Sequence, residues 1–115
     1  AGPGVRDLGA VRRHVARAAA RWPRLVVSVH MGAEGRRAQR TRDAVEVSFG
    51  EDRGNPVAFA RVAAEAGADV VFGHGPHVMR AAEWRGGTLI FHSLGNLVTY
   101  GPFSMAEPLD RGALA

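Results

Sequence analysis

The stretch Asn55-Pro56-Val57-Ala58-Phe59-Ala60-Arg61-Val62-Ala63-Ala64-Glu65-Ala66-Gly67-Ala68-Asp69-Val70-Val71-Phe72-Gly73-His74 decides the fold. Asn55 is a natural N-cap and Pro56 suits the first helical position, where a missing N–H costs nothing. Phe59, Val62, Ala63 and Ala66 recur at helical spacing and make one apolar face. Gly67 is the residue type that ends a helix by taking a left-handed backbone. Asp69 to Phe72 then reads as a short buried strand that runs out at Gly73 and His74.

Upstream, Leu25-Val26-Val27-Ser28-Val29 is a second short, β-branched run, read as a buried strand ending at His30. Two strands joined through a helix are parallel, so the order strand, helix, strand predicts an α/β fold. Their C-terminal ends then share one edge of the sheet, the edge at which open α/β folds bind ligands. Residues 79 to 94 read as a hairpin, with Arg85, Gly86 and Gly87 turning between Ala81–Trp84 and Thr88–Phe91. The returning strand carries Ser93, Gly95 and Asn96 to that same edge. Before all of this, Asp7 to Trp22 reads as an amphipathic helix with Leu8, Val11, Val15, Ala18 and Trp22 on one face, stopped by Pro23. Residues 31 to 54 form a long polar connection in which Val45 to Phe49 alternates like a short strand. Beyond Asn96 the pattern fades into a tail containing Gly and Pro.

Chemistry is concentrated where the strands end. His74 and His77 flank a Gly-Pro pair, and neutral imidazole is a common ligand for zinc, iron or manganese. His30 ends the other strand, and Glu34 follows it by four residues. Glu34 is placed either to orient His30 or act on a bound water, or to pair with a nearby arginine. Asn96 is placed to bond a substrate oxygen or a metal-bound water, or else to brace its own turn. The bland alternative for His74 and His77 is two turn histidines bonded to backbone carbonyls. His14 reads as solvent-facing and His92 as a packed histidine. Ser93 lacks the surroundings of a nucleophile, and no phosphate-cradling glycine fingerprint is present.

Composition narrows the class. With 115 residues and 46% hydrophobic residues the chain fits one compact domain or a piece of a larger one. It has no cysteine, which excludes disulfides and a thiolate zinc site. No apolar run approaches the roughly 20 residues that cross a bilayer, and no signal-peptide pattern follows Ala1. The net charge is +4, and every basic residue is an arginine. Those arginines are dispersed, without aromatic interleaving or a nucleic-acid motif, so no nucleic-acid partner is expected. Arg36, Arg37, Arg40 and Arg42 do gather in the long connection.

Three segments resemble one family. Val26-Val27-Ser28-Val29-His30-Met31-Gly32-Ala33-Glu34, Gly67 to Val78 with its Gly-His-Gly-Pro-His core, and Ser93-Leu94-Gly95-Asn96-Leu97 are similar, in the same order, to three motifs of the CapA/PgsA proteins of capsule and poly-γ-glutamate biosynthesis. Arg53-Gly54-Asn55 is similar to a stretch found in one subgroup. The resemblance implies a metallophosphoesterase-like β-sandwich flanked by helices. It implies that His30, His74 and His77 ligate divalent metal ions (manganese, iron or zinc), with Glu34 and Asn96 beside them as catalytic groups. It implies an anionic capsule polymer, poly-γ-glutamate or similar, and membrane-bound capsule-synthesis components as partners, on the extracytoplasmic side of the cell envelope. Met31, His92 and Leu97 depart from the usual aromatic, tyrosine and phenylalanine, and none is an implied ligand. The family's early Gly-Asp and Asn-Asn-His segments have no counterpart here. Residues 1–115 are therefore expected to be the C-terminal portion of one such domain, carrying at most half of a two-metal site. Two functions follow: a metal-dependent, phosphoesterase-like hydrolase in the intact protein, or a non-catalytic module that binds the anionic polymer through residues 36–42.

Overall fold

The computed structural model describes residues 4–97, 106–109 and 111–114; residues 98–105 of the tail lie outside them. Helix α1 spans Leu8–Arg21, with the Asp7 carboxylate accepting from the Ala10 amide as its N-cap. Strand β1 (Val26–His30) follows, then a short 3-10 turn at Arg36–Gln39. A two-stranded ribbon, β2 (Val47–Ser48) and β3 (Glu51–Asp52), lies within the long connection. Helix α2 (Pro56–Glu65) is capped by Asn55, whose side chain accepts from the Ala58 amide. Strands β4 (Val70–His74), β5 (Ala82–Arg85) and β6 (Thr88–Phe91) complete the regular structure of the described residues.

Four strands form one mixed sheet in the order β1-β4-β6-β5. β1 pairs parallel with β4 and β4 with β6, while β5 and β6 are the expected antiparallel hairpin. Gly86 and Gly87 both take positive φ, as a tight two-residue hairpin turn requires. The expected α/β class, strand–helix–strand unit and C-terminal hairpin are all present.

Both helices pack on the same side of the sheet. Val11 and Val15 of α1 and Phe59, Ala60 and Ala63 of α2 bury against Val29, Val71 and Ile90. The period of two then assigns the other face. Val26, Val70, Phe72, Leu89, Phe91 and Trp84 occupy matching register positions and point away from the helices. Phe72 and Phe91 stack there with ring centroids 5.5 Å apart. Val26 is 55% exposed and Trp84 72%.

Two expectations need correction. The sequence reads Leu25–Val29 as a buried strand, but β1 is an edge strand covered only on its helix side, and Val26 and Ser28 are exposed. A continuous apolar run does not distinguish a covered sheet face from an uncovered one. Helical spacing puts Trp22 on the apolar face of α1. It instead takes an extended backbone at the C-cap, turns outward to 57% exposure, and lies beneath the Arg21 guanidinium.

Candidate functional site

The parallel register sets His30 of β1 directly beside His74 of β4. Neighbouring strands lie about 4.8 Å apart, so the two histidines end their strands as immediate neighbours on the uncovered face. The Met31 amide donates to the His74 carbonyl at 2.9 Å and ties the two ends together.

The next turn adds His77. Gly75 takes φ +116°, and a Cβ there would fall on the Met31 carbonyl oxygen, so only glycine lets this turn lie against the end of β1. The Gly35 amide donates to the Pro76 carbonyl at 3.0 Å and brings the following loop alongside. His77 itself has φ +58°, a left-handed conformation that histidine tolerates better than most residues. Its ring stands 5.9 Å, centroid to centroid, from that of His30.

His30, Glu34 and His77 consequently each offer a ligand atom within 4.8 Å of the others. His74 is in register with His30 but outside that group of three. The Asn96 amide is oriented by its Nδ2, which donates to the Leu109 carbonyl at 3.0 Å. Its Oδ1 is thereby left as acceptor for His77 Nδ1 at 2.9 Å. Nδ1 is then the donor to Asn96, and His77 Nε2 is the ring nitrogen turned to the cluster, 4.0 Å from Glu34 Oε2. Both polar ends of Asn96 are engaged inside the protein, so its action here is on His77.

Glu34 is held as well. Arg53 donates to its Oε1 at 3.0 Å, which leaves Oε2 facing His77. Of the two roles weighed for Glu34, the arginine pairing is therefore present, and it coexists with a place in the cluster. Arg53 was visible only as part of the Arg53-Gly54-Asn55 stretch; nothing in its spacing announced a partner 19 residues away.

Sequence reasoning missed the Glu46–Arg80 pair altogether. Arg80 donates from both terminal nitrogens to the two carboxylate oxygens of Glu46 at 2.9 Å, and its Nε reaches the Ala38 carbonyl. Glu46 Oε2 also accepts from the Ala33 amide at 2.7 Å. The Arg80 side chain is 1% exposed and that of Glu46 12%. This clasp fastens the connection that carries Glu34 onto the turn that carries His77.

The sequence has matches among known proteins. Residues 1–100 match the family described as bacterial capsule synthesis protein PGA_cap. The chain belongs to that family. It is also 54% identical over 39 residues to the PGA biosynthesis protein CapA of Bacillus subtilis (strain 168). That match takes in 34% of this chain and 10% of the Bacillus protein. The family resemblance drawn from the three motifs is thus borne out.

A second polar cluster lies under the hairpin of this capsule-synthesis family member. His92, as expected, is packed, with Nε2 3.5 Å from Glu83 Oε1 and Arg61 beyond it. Burial pushes the His92 imidazole below its ordinary value. Glu83 opposes that shift, and the Arg61 and Arg80 cations reinforce it. The unfolded chain therefore takes up a proton at higher pH than the native one, and stability rises with pH across that interval. Stability is complete above about pH 6.5, the ordinary histidine value, and falls as pH drops below it, levelling off once the native imidazole protonates. A His92→Gln variant is expected to lose that slope in urea titrations between pH 7.5 and 5. An unchanged slope would assign the acid sensitivity to other groups.

Proposed function

We propose that this chain supplies part of a metal-dependent, phosphoesterase-like site that hydrolyses or otherwise handles an anionic capsule polymer, with His30, Glu34 and His77 as ligands and His74 as a further ligand from the neighbouring strand. The observation that carries the reading is the convergence of two imidazoles and a carboxylate, from three separate stretches of chain, within 4.8 Å. That donor set fits a divalent first-row ion, because imidazole and carboxylate both suit manganese, iron and zinc. Small side-chain rotations bring such donors onto one ion.

The chain's own residues supply the rest. Asn96 fixes the tautomer of His77 so that Nε2 faces the cluster, as partners behind metal-binding histidines commonly do. Arg53 bridges Glu34 and Glu51 and so holds the Glu34 carboxylate in place beside His77. A bound ion would polarise the scissile bond and make a nucleophile from water near neutral pH. The uncovered sheet face supports the reading of residues 1–115 as the C-terminal portion of a sandwich. A second sheet about 10 Å above Phe72 and Phe91 would cover it, and its loops would bring the missing ligands. Among the described residues no helix is long and apolar enough to cross a membrane. The extracytoplasmic location, the membrane-bound partners and the poly-γ-glutamate assignment therefore rest on the family alone.

The test uses the full-length protein that carries this chain. Manganese or zinc binding is measured by calorimetry, and hydrolysis of a phosphodiester and of a γ-glutamyl peptide is assayed. His77→Ala is expected to remove metal binding and lower turnover by about 100-fold or more. Asn96→Ala should weaken metal binding by about 10–100-fold while leaving every ligand in place. Full activity in metal-stripped protein, or unaltered metal affinity in His77→Ala, rejects the reading.

A further inference from the structure

Among the described residues, four buried side-chain polar atoms have no hydrogen-bond partner: Arg53 Nε, Arg61 Nε, Glu83 Oε1 and His92 Nδ1. Arg53 Nε has the Glu51 carboxylate at 3.1 Å as an ion-pair partner. The other three belong to residues that line one hollow of about 310 Å³ beside the hairpin. They come from different elements: Arg61 from α2, Glu83 from β5, and His92 from the residue after β6. Glu83 Oε1 lies 3.6 Å from Arg61 Nε and 3.5 Å from His92 Nε2, close enough for charge attraction but too far for a good hydrogen bond. The His92 side chain is only 3% exposed. Buried polar atoms are nearly always paired, so three unmet ones around a single space point to a ligand.

The rest of the lining is already engaged or apolar. Thr41 Oγ1 accepts from the Ala81 amide at 3.2 Å. Asp43 accepts from Asn55 at 2.8 Å and from a terminal nitrogen of Arg61 at 3.1 Å. Val57, Ala81 and Ala82 supply an aliphatic wall. No residue of the His30, Glu34 and His77 group lines the hollow.

The three unmet atoms have defined roles, and these select the ligand. Arg61 Nε can only donate, and an ionised Glu83 can only accept. Nε2 is the His92 nitrogen turned toward that carboxylate. In the neutral ring, which burial favours, Nε2 therefore carries the proton and Nδ1 accepts. The hollow thus offers one donor and two acceptors. A carboxylate would leave both acceptors unmet and be repelled by Glu83. An ammonium would leave the Arg61 donor unmet and face its charge. A primary carboxamide carries the complement, a carbonyl acceptor and two N–H donors. We propose that this hollow binds a small primary carboxamide, its oxygen on Arg61 Nε, its N–H groups on Glu83 Oε1 and His92 Nδ1, and its aliphatic part on Val57, Ala81 and Ala82. The site is independent of the metal and of the polymer.

Butyramide is titrated by calorimetry into the full-length protein in EDTA, with N,N-dimethylbutyramide, butyrate and butylammonium as controls. Butyramide should bind at least about 10-fold more tightly than any of the three, since each leaves one or more of the hollow's polar atoms unmet. His92→Phe removes one acceptor and should weaken butyramide binding about 5-fold. His92 is packed, so a second variant leaves every polar atom in place. Ala81→Leu, at an exposed position in the wall, fills the hollow and should abolish binding while the protein keeps its melting temperature. Equal binding of the dimethyl amide would reduce the contact to its apolar part, and equal binding of butylammonium would make the hollow a cation site; either result overturns the assignment. So would binding that survives Ala81→Leu. A failure of butyramide to bind would also overturn it, leaving ordered water as the partner of the three atoms.

Discussion

Arg80→Met is expected to destabilise the protein by about 3–5 kcal/mol, the cost of leaving one partner of a buried ion pair uncompensated. The Glu46 carboxylate would keep its bond from the Ala33 amide but lose both bonds from the guanidinium. The Ala38 carbonyl would lose its donor too. For a domain whose whole stability is about 5–15 kcal/mol, that is a large fraction, and urea denaturation would read it directly. Removing both partners should behave differently. In Arg80→Met/Glu46→Leu no charge is stranded, and more than half of the lost stability should return. Metal binding should not return with it, because the Ala33 amide next to Glu34 would have lost its acceptor. A single-variant loss below about 1 kcal/mol would show that solvent reaches the pair and that the clasp is ornamental.

The second large effect is expected at Gly75. Gly75→Ala should cost about 3–5 kcal/mol and separate His77 from His30, abolishing the metal binding proposed above even though every candidate ligand remains. Two penalties coincide there. The backbone at φ +116° is nearly closed to residues with a side chain, and the added methyl would fall on the Met31 carbonyl. Gly86→Ala isolates the first kind of penalty, since Gly86 also has positive φ, at +55°, but nothing lies within 4 Å of its built Cβ. About 1 kcal/mol is expected for that variant, with metal binding intact. If the two alanine variants proved equally stable and both retained metal, the close approach of the two turns would have no part in building the site.

Much of the architecture was legible because it depends on local signals. Asn55, Pro56 and Gly67 bracket α2 through capping and backbone preference. Gly86 and Gly87 mark the hairpin for the same reason. The parallel pairing of β1 and β4 follows from the helix between them, and with it the neighbouring of His30 and His74. Less was legible where the decisive contact joins residues far apart. Leu25 to Val29 showed that a strand exists but not that one of its faces is uncovered. Glu46 and Arg80 sit 34 residues apart, and an arginine after a histidine turn looks the same in sequence whether it is buried or solvated.

The candidate site divides along the same line. The residue types and their placement at strand ends were set by the linear order of strands, helix and turns, since these fix which side chains reach the sheet edge. The tertiary structure decided which of them meet. It grouped His77, rather than His74, with His30 and Glu34, turned Asn96 onto His77, and left the arginines of residues 36–42 without internal partners by engaging Asp43 and Glu46 elsewhere. Side-chain pairing depends on distances across the fold, and spacing along the chain carries no information about them.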